Sequence, residues 1–466
     1  MENENTKITE LKEKLFARSV KGLQSVSAED IANADAFSKG YTAFLDKAKT
    51  EREAVETSVK IAKENGFTEY NSQKNYQAGD RVYVVNRKKN IMLVVFGKQP
   101  LDKGVRFAIA HIDSPRLDLK PNPLYEANEL AMFKTHYYGG IKKYQWTAIP
   151  LALHGTVAFK DGSVVNVCVG DDDNDPCFCV TDLLPHLSRE QSAKPLAKAI
   201  EGENLNVLIG SRPFDNSKEA ELVKLNILHI LFEKYGITEE DFLSAELTMV
   251  PAFKARDIGF DRSMIGAYGH DDKVCAYPAL MSAIDTHNPE YTAITILVDK
   301  EEIGSDGNTG MQSAFMEHFI NEIAEKNGSK GYKVLDNSKC LSADVNAAFD
   351  PTYSSAFEQN NSSYINRGVV ITKYTGSGGK YDTSDAGAEY MAEIRNLLDG
   401  QNIQWQSGEL GKVDGGGGGT IAKYVANLNV DVVDLGVPVL SMHAPLEIIS
   451  KTDLYMAYKA FKAFFQ

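Results

Sequence analysis

The chain has 466 residues, of which 43% are hydrophobic, and this length predicts two domains or one domain that carries a large insertion. The formal net charge of −14 argues against nucleic acid or an anionic membrane as a partner, because both bind basic surfaces. The first residues, MENENTK, do not resemble a secretory signal, and no apolar run reaches membrane-spanning length, so we expect a cytoplasmic protein.

The first part of the chain has a sequence pattern that predicts helices followed by strands. Residues 8–64 have a helical pattern that stops at Asn65-Gly66, and residues 81–85 and 91–96 predict a hairpin. A third strand over 105–110 ends in His111-Ile112-Asp113. At a strand end, such a histidine can bind a metal while the carboxylate fixes its tautomer, although a hydrogen-bonded loop would show the same residues.

The character of the sequence changes from about residue 116 to residue 252. Short segments rich in β-formers, such as 155–159 and 164–169, alternate with polar loops, and residues 217–235 predict an amphipathic helix. The acidic run 171–175 lacks the glycine and distal glutamate of an EF-hand, so we interpret it as a solvated loop. We expect an inserted β-rich domain over 116–252, with 1–115 and 253–466 forming one discontinuous catalytic domain.

The last part returns to an α/β pattern in which strands run into polar residues. The apolar strand 293–298 leads to Glu301 and Glu302, which could equally form a solvated surface turn. Asp271 and Asp272 precede a helix over 275–284, where one aspartate is expected to cap the helix and the other could bridge two metals. Two further short strands end near Asp344 and His443.

The cysteines are expected to be reduced thiols in a reducing compartment. They number five, at positions 168, 177, 179, 275 and 340, and none shows Cys-x-x-Cys spacing. Cys177 and Cys179 are too isolated for a structural zinc site, and we expect Cys275 and Cys340 to be small buried hydrophobic residues.

Taken together, the polar strand ends form the ligand inventory of two divalent ions. Each ion would have one histidine and one carboxylate, with one bridging aspartate and one glutamate left over as a base. Nitrogen and oxygen ligands without thiolate favour zinc, cobalt or manganese. The candidate residues are His111, Asp113, Asp271, Glu301, Glu302, Asp344 and His443.

The sequence resembles the aminopeptidase I and aspartyl aminopeptidase family of two-zinc exopeptidases. The resemblance spans nearly the whole chain and is carried, in order, by AHIDSP (110–115), DDK (271–273), DKEEIGS (299–305), SAD (342–344) and VPVLSMH (437–443). It implies that His111 binds one metal with Asp113 behind it, that Asp271 bridges two zinc ions and that Glu301 is the general base. Glu302, Asp344 and His443 would complete the ligand set.

The resemblance also implies a fold and an assembly. The fold class is α/β, a zinc-exopeptidase-like mixed sheet flanked by helices and interrupted by a smaller β-rich domain that makes subunit contacts. Members of the family resemble one another in forming tetrahedral dodecamers, so we expect a homo-oligomer of this kind, a tetrahedral dodecamer, here. Members of the aspartyl type carry a histidine after the paired glycines near Gly139-Gly140 that reaches a neighbouring active site, whereas this chain has Ile141-Lys142-Lys143.

The predicted activity is metal-dependent release of the N-terminal amino acid from peptides. Lys373, Tyr381, Gly416 and Gly417 are the candidates for the substrate pocket, because they lie in glycine-rich stretches that suit close approach of a peptide. Two alternatives remain at this stage: a related two-metal carboxypeptidase or deacylase, and a non-catalytic assembly protein stabilised by metal.

Overall fold

Residues 2–16, 22–172 and 174–466 are described by a computed structural model in which strands and helices are numbered in chain order. The strands are β1 (Thr68–Glu69), β2 (Arg81–Asn86), β3 (Asn90–Val95), β4 (Arg106–His111), β5 (Arg116–Ala127), β6 (Leu130–Tyr138), β7 (Leu151–Ala158), β8 (Val164–Val169), β9 (Cys179–Val180), β10 (Val207–Gly210), β11 (Ala245–Pro251), β12 (Arg256–Ile258), β13 (Met264–Ala267), β14 (Ala293–Val298), β15 (Lys339–Ser342), β16 (Asn346–Ala347), β17 (Val369–Thr372), β18 (Gly376–Ser377), β19 (Trp405–Ser407), β20 (Gly417–Gly418), β21 (Asp431–Gly436), β22 (Pro438–Val439) and β23 (Glu447–Ser450).

The helices lie before, between and after these strands. They are α1 (Glu2–Leu15), α2 (Ala28–Lys47), α3 (Glu51–Glu64), α4 (Arg189–Ser192), α5 (Leu196–Ala199), α6 (Leu222–Tyr235), α7 (His270–Lys273), α8 (Ala276–Ile284), α9 (Phe315–Lys326), α10 (Gly331–Asp336), α11 (Ala388–Gly400), α12 (Ala422–Ala426) and α13 (Lys451–Phe465). Within the described residues, no helix combines the length and apolarity that would be needed to cross a membrane.

The larger of the two main sheets, called the large sheet below, contains nine strands of the described chain. Their order is β1-β2-β3-β14-β4-β15-β21-β17-β19, and the four central strands β14, β4, β15 and β21 are parallel. The other pairings are partly antiparallel, including the predicted hairpin of β2 and β3. The prediction of a mixed sheet is therefore confirmed.

Alternating side chains of the central strands pack against helices on both faces of the large sheet. In β4, Ala108 packs on the side of α2, α3, α8, α11 and α13, whereas Phe107 and Ile109 pack on the side of α9, α10 and α12. Every residue of β14 is buried, as expected for a strand covered on both faces. The flanking helices thus hold the centre of the sheet rigidly.

A second sheet, with seven strands in the described residues, is formed between β4 and β14 in the sequence. Its order is β8-β7-β11-β5-β6-β10-β9, with all pairings antiparallel, and it packs its own core around Trp146 and Phe133. Helix α6 covers part of this core through Ile227, Leu228 and Leu231. The predicted interruption of the α/β fold by a smaller β-rich structure is confirmed.

Some predicted helix boundaries differ from the structure. The predicted helix 8–64 is divided into α1, α2 and α3, and its residues 17–21 lie outside the described part. Helix α6 begins at Leu222 rather than at 217, because Glu221 has a left-handed backbone with φ of 56°. Residues 270–273 form a separate short helix, α7, before α8 begins at Ala276.

Candidate metal centre

The polar residues predicted at strand ends converge because the central strands are parallel. Residue Val298 at the end of β14 pairs with His111 at the end of β4, so the chain segments that follow both strands start at the same edge. Glu301 and Glu302 lie in the single 3₁₀ turn after β14, and Asp344 lies two residues after β15. This edge is where ligands collect in α/β sheets.

Two groups of three possible metal ligands lie at this edge. In the first, His111 Nε2 is 3.7 Å from Asp344 Oδ1, and Asp271 completes the group. In the second, His443 Nε2 is 2.9 Å from Asp271 Oδ2 and 3.5 Å from Glu302 Oε1. The ligand atoms of each group lie within 4.8 Å of one another, and Asp271 belongs to both groups.

Asp271 reaches this position from the short helix α7. The residue before α7 is Gly269, with φ of 77°, and no aspartate side chain caps the helix in the described structure. The prediction that one aspartate of the pair acts as a cap is therefore wrong. Asp272 is also buried and lies beside His111 Nδ1, at 3.7 Å from its Oδ1. Asp271 therefore belongs to both groups of possible ligands, whereas Asp272 lies beside Nδ1 of His111, the ring nitrogen that does not face Asp344.

Asp113 links the two strand ends. Its Oδ1 accepts a hydrogen bond from the backbone N–H of Glu301 at 3.0 Å, and its Oδ2 accepts one from Glu302 at 3.2 Å. Tyr138 donates its hydroxyl to the same Oδ2 at 2.9 Å, and Asp113 Oδ1 is 3.5 Å from His111 Nδ1. Asp113 thus orients the histidine ring from behind and fixes the turn that carries both glutamates.

Glu447 holds the backbone of Asp271 and of His443, and it was not among the residues predicted from the sequence. Its carboxylate accepts the backbone N–H of Asp271 at 3.0 Å and that of His443 at 2.6 Å. The side chain is buried at the start of β23. The one signal in the sequence is an acidic residue opening an apolar strand four positions after His443.

The imidazole of His443 is oriented by a hydrogen bond to the backbone of Gly140. Its Nδ1 donates a hydrogen bond to the carbonyl oxygen of Gly140 at 2.7 Å, which leaves Nε2 directed at Asp271 and Glu302. A Cβ atom at Gly140 would come within 3.3 Å of His443 Nδ1. A glycine at this position therefore allows the close approach that sets the ring orientation.

The site gathers more buried negative charge than its histidines balance. Burial, together with the charges of Asp344, Asp113 and Asp271, raises the pKa of Glu301 to about 8. Burial also raises the pKa of Glu302 well above its ordinary value. Glu302 Oε1 has no hydrogen-bond donor among the described residues although it is buried. A buried carboxylate oxygen of this kind, next to imidazole nitrogens, fits a cation ligand.

A cavity of about 740 Å³ opens onto these groups. Its walls include Glu301, Glu302, Asp344 and His443 at the base. Further out, the walls include Lys142, Thr375, Asp382, Gly417 and Lys423. A cavity of this size can hold a small ligand beside the two groups of possible metal ligands.

The four residues predicted for the substrate pocket differ in their positions relative to the cavity. Gly417 lines the cavity, and Gly416 precedes it with open space around its Cα. Tyr381 is 73% exposed, and Lys373 forms an ion pair with Asp385. The cavity wall instead carries an ion pair of Lys423 and Asp382, 3.2 Å apart, which the sequence analysis did not single out.

The chain matches a family model over almost its whole length. The model for aminopeptidase I zinc metalloprotease (M18) covers residues 44–465. A probable M18 family aminopeptidase 1 of Clostridium acetobutylicum is 52% identical over 429 residues, which cover 90% of this chain and 92% of that protein. Its namesake in Thermotoga maritima is 47% identical over 436 residues, covering 92% of this chain and 95% of that protein.

Solved structures agree with these relatives. The crystal structure of an M18 family aminopeptidase from Thermotoga maritima superposes with a TM-score of 0.92 at 45% identity, covering 97% of this chain and 100% of the other. The crystal structure of aminopeptidase I from Clostridium acetobutylicum gives a TM-score of 0.91 at 47% identity, with the same coverage of 97% and 100%.

Proposed function

Because the chain belongs to the aminopeptidase I (M18) family of zinc metalloproteases and is a metalloaminopeptidase, we propose that it releases N-terminal residues by a two-metal mechanism with Glu301 as the general base. The family identity favours this activity over the carboxypeptidase, deacylase and assembly-protein alternatives that the residues alone left open.

The observation that carries the two-metal proposal is the sharing of Asp271 between two ligand groups. His111 and Asp344 would hold one ion, His443 and Glu302 the other, and Asp271 would bridge them. A carboxylate has two oxygen atoms and can serve two ions at once, as two-metal hydrolytic sites require. Zinc is the ion associated with the family, and the mixed nitrogen and oxygen donors suit zinc, with cobalt or manganese as substitutes.

Two ions bound in this centre would supply Lewis-acid chemistry, which makes water a better nucleophile at neutral pH and polarises the scissile carbonyl group. Glu301 would accept the proton of the attacking water and pass it to the leaving amine. Two features support this role: Glu301 belongs to neither three-ligand group, and it lines the cavity beside them.

Asp113 acts in this proposal as a positioning residue. It holds the backbone of Glu301 and Glu302 and backs His111, so the base and two ligands keep their relative places during the reaction. A carboxylate behind a metal-binding histidine also favours the tautomer in which the other nitrogen faces the metal.

The first residue of the substrate would lie between the metal ligands and the glycine-rich wall. Gly417 lines the cavity, which supports a role for it and for the neighbouring Gly416 in close contact with the peptide backbone. We keep Lys373 and Tyr381 as residues of the pocket entrance, because Thr375 and Asp382 of the same loop line the cavity.

We further propose a discontinuous catalytic domain of residues 1–115 and 253–466 and an inserted oligomerisation domain of residues 116–252. Leu183, Leu184, Leu187 and Leu196 of the inserted part are between 46% and 66% exposed, which supports burial against another subunit. A yeast relative of the same fold, 20% identical with a TM-score of 0.74, is described as a dodecamer. We therefore propose a homo-oligomer, a tetrahedral dodecamer. We also propose a cytoplasmic location, because free thiols in the chain suit a reducing compartment.

The experiment that tests the function is hydrolysis of unblocked aminoacyl p-nitroanilides and Asp or Glu dipeptides, with N-acetylated versions as matched controls. We expect cleavage of the free N-termini alone, loss of activity with a chelator, and recovery with zinc, cobalt or manganese. Recovery should require two equivalents of metal in the catalytic centre. Cleavage of the blocked peptides, or activity that survives complete metal removal, would contradict the proposal.

A further inference from the structure

Another cluster of possible metal ligands, outside the walls of the cavity, lies at the β7–β8 hairpin of the second sheet. His154 of β7 pairs directly with Cys168 of β8. Side chains that pair directly across two antiparallel strands lie on the same face of the sheet. The His154 side chain is buried, whereas Cys168 is exposed at the edge strand. An imidazole and a thiol are therefore held side by side by backbone pairing.

Asp171 completes the cluster from the loop after β8. Its Oδ1 is 3.1 Å from His154 Nε2, and its Oδ2 is 3.7 Å from Cys168 Sγ. Cys168 Sγ is 4.0 Å from His154 Nε2. The chain turns back at Gly170, where φ is 117°, and this turn brings the carboxylate over the pair. The acidic run around Asp171 predicted a solvated loop, but the Asp171 side chain is only 27% exposed.

The imidazole is oriented for ligation by a carboxylate on its other side. Glu53 Oε1 lies 2.8 Å from His154 Nδ1, so Nδ1–H donates to Glu53 and Nε2 faces Cys168 and Asp171. Glu53 is itself held, because its Oε2 accepts the backbone N–H of Thr50 at the start of α3. A carboxylate behind a histidine is the usual arrangement at metal sites, because it fixes the tautomer and raises the basicity of the ligating nitrogen.

We propose that His154, Cys168 and Asp171 form a metal site separate from the catalytic centre, and that it binds Zn²⁺. One nitrogen, one thiolate sulfur and one carboxylate oxygen are a ligand set that zinc accepts, whereas calcium and magnesium prefer oxygen alone. The three ligand atoms lie within 4.8 Å of one another, so one ion can contact all of them. Water can supply a fourth ligand, because Cys168 is exposed.

The proposed ion would join two parts of the fold. Glu53 belongs to helix α3, which packs on the large sheet, while His154 and Cys168 belong to the second sheet. An ion on His154 would strengthen the Glu53 contact between these two layers and fasten the edge strand β8 to β7. The site therefore has a structural role, and its ligands lie outside the cavity walls.

The test uses Co²⁺ as a spectroscopic probe of the full-length protein. After removal of metals by a chelator, Co²⁺ is added stepwise and the near-ultraviolet absorption from thiolate-to-cobalt charge transfer is recorded. None of the residues assigned to the catalytic centre is a cysteine, so cobalt bound there gives no such band, and the cysteine variants show which thiol produces it. We expect the band in the wild-type protein, its absence in Cys168→Ser, and its displacement by Zn²⁺.

Two further variants make the result decisive. Cys177→Ser replaces another exposed cysteine and is expected to keep the band. Asp171→Asn is expected to weaken cobalt binding at this site, while peptidase activity with metal restored stays at the wild-type level in both cysteine variants. A wild-type protein without the band, or a Cys168→Ser protein that keeps it, would overturn the proposal. Neither outcome would affect the proposed function, which is read from peptide hydrolysis.

Discussion

The carboxylate of Asp113 accepts the backbone N–H of Glu301 at 3.0 Å across a separation of 188 residues. The same carboxylate group lies beside His111 Nδ1, at 3.5 Å. One buried side chain thereby sets the distance between a proposed metal ligand on β4 and the proposed base after β14. The centre depends on this connection as much as on the residues that would contact metal or substrate.

Replacing Asp113 tests that connection. Asp113→Asn places an amide group where two backbone N–H groups need acceptors, and it removes the negative charge behind His111. We expect kcat to fall by about 10–100-fold, with weaker retention of metal. The measurements are kcat and metal content after dialysis. Asp118→Asn, a partly exposed neighbour that pairs with Arg116, is the matched control and should leave both unchanged.

Replacing Glu301 separates proton transfer from metal binding. Glu301→Gln keeps the size of the side chain but cannot accept a proton, so we expect kcat to fall by about 10²–10⁴-fold. Metal content should stay at the wild-type level, because Glu301 belongs to neither ligand group. The exposed Glu317→Gln serves as the control. Near-normal turnover in Glu301→Gln would show that another group acts as the base.

Replacing Glu447 tests whether its hydrogen bonds to the backbone of Asp271 and His443 keep these proposed metal ligands in place. The two oxygens of Glu447 each accept one backbone N–H group, from Asp271 and from His443. Glutamine has one oxygen, so it can accept only one of these hydrogen bonds, and it carries no charge. We expect Glu447→Gln to lower metal affinity by about 10–100-fold. Activity measured against metal concentration should shift accordingly and recover at saturating zinc. The exposed Glu389→Gln should not shift, and an unshifted Glu447→Gln curve would remove Glu447 from the centre.

The raised pKa of Asp453 predicts that the free energy of unfolding depends on pH. Burial raises the pKa of this carboxyl group to about 8, although it accepts the N–H groups of Asn366 and Gly368 at 2.7 Å. The unfolded chain releases this proton near pH 4, so the folded state binds more protons between about pH 4 and 8. This group therefore lowers stability as pH rises through that window, by at most about 1.4 kcal/mol per unit.

The measurement is the denaturant midpoint at a fixed protein concentration from pH 5.5 to 8.5. Asp453→Asn cannot ionise, and its midpoint relative to the wild type should rise steadily up to about pH 8 and then level off. Curves that run parallel over the whole range would mean that Asp453 ionises normally in the folded protein.

Residues that directly follow short apolar strands could be predicted from the sequence. His111, Glu301 and Asp344 follow short apolar strands, and parallel strands bring their carboxyl ends to one edge without any further information. The structure brings these residues together for that reason. The assignment of roles among adjacent acids, such as Asp271 and Asp272, came from the resemblance to a family, because residue types do not distinguish them.

Residues that act across antiparallel pairings were missed. His154 and Cys168 meet because of the register between β7 and β8, and a shift by one residue would place them on opposite faces. Glu447 reaches the metal centre through β23 and the turn before it. The ion pair of Lys373 with Asp385 was likewise not predicted, whereas a place for Lys373 in the substrate pocket stays a prediction. Such pairings depend on loop conformations that sequence patterns do not encode.

The position of β4 between β14 and β15 also sets the order in which the newly made chain can fold. Both neighbours of β4 lie later in the sequence, beginning at Ala293 and Lys339, whereas every strand of the second sheet is complete by Pro251. On the ribosome, β4 has to wait for β14, and long-range pairing of this kind is slow. A chain stalled before Ala293 would contain every strand of the second sheet but neither neighbour of β4. His111 would then lack Glu301 and Glu302, so hydrolytic activity would emerge late in synthesis.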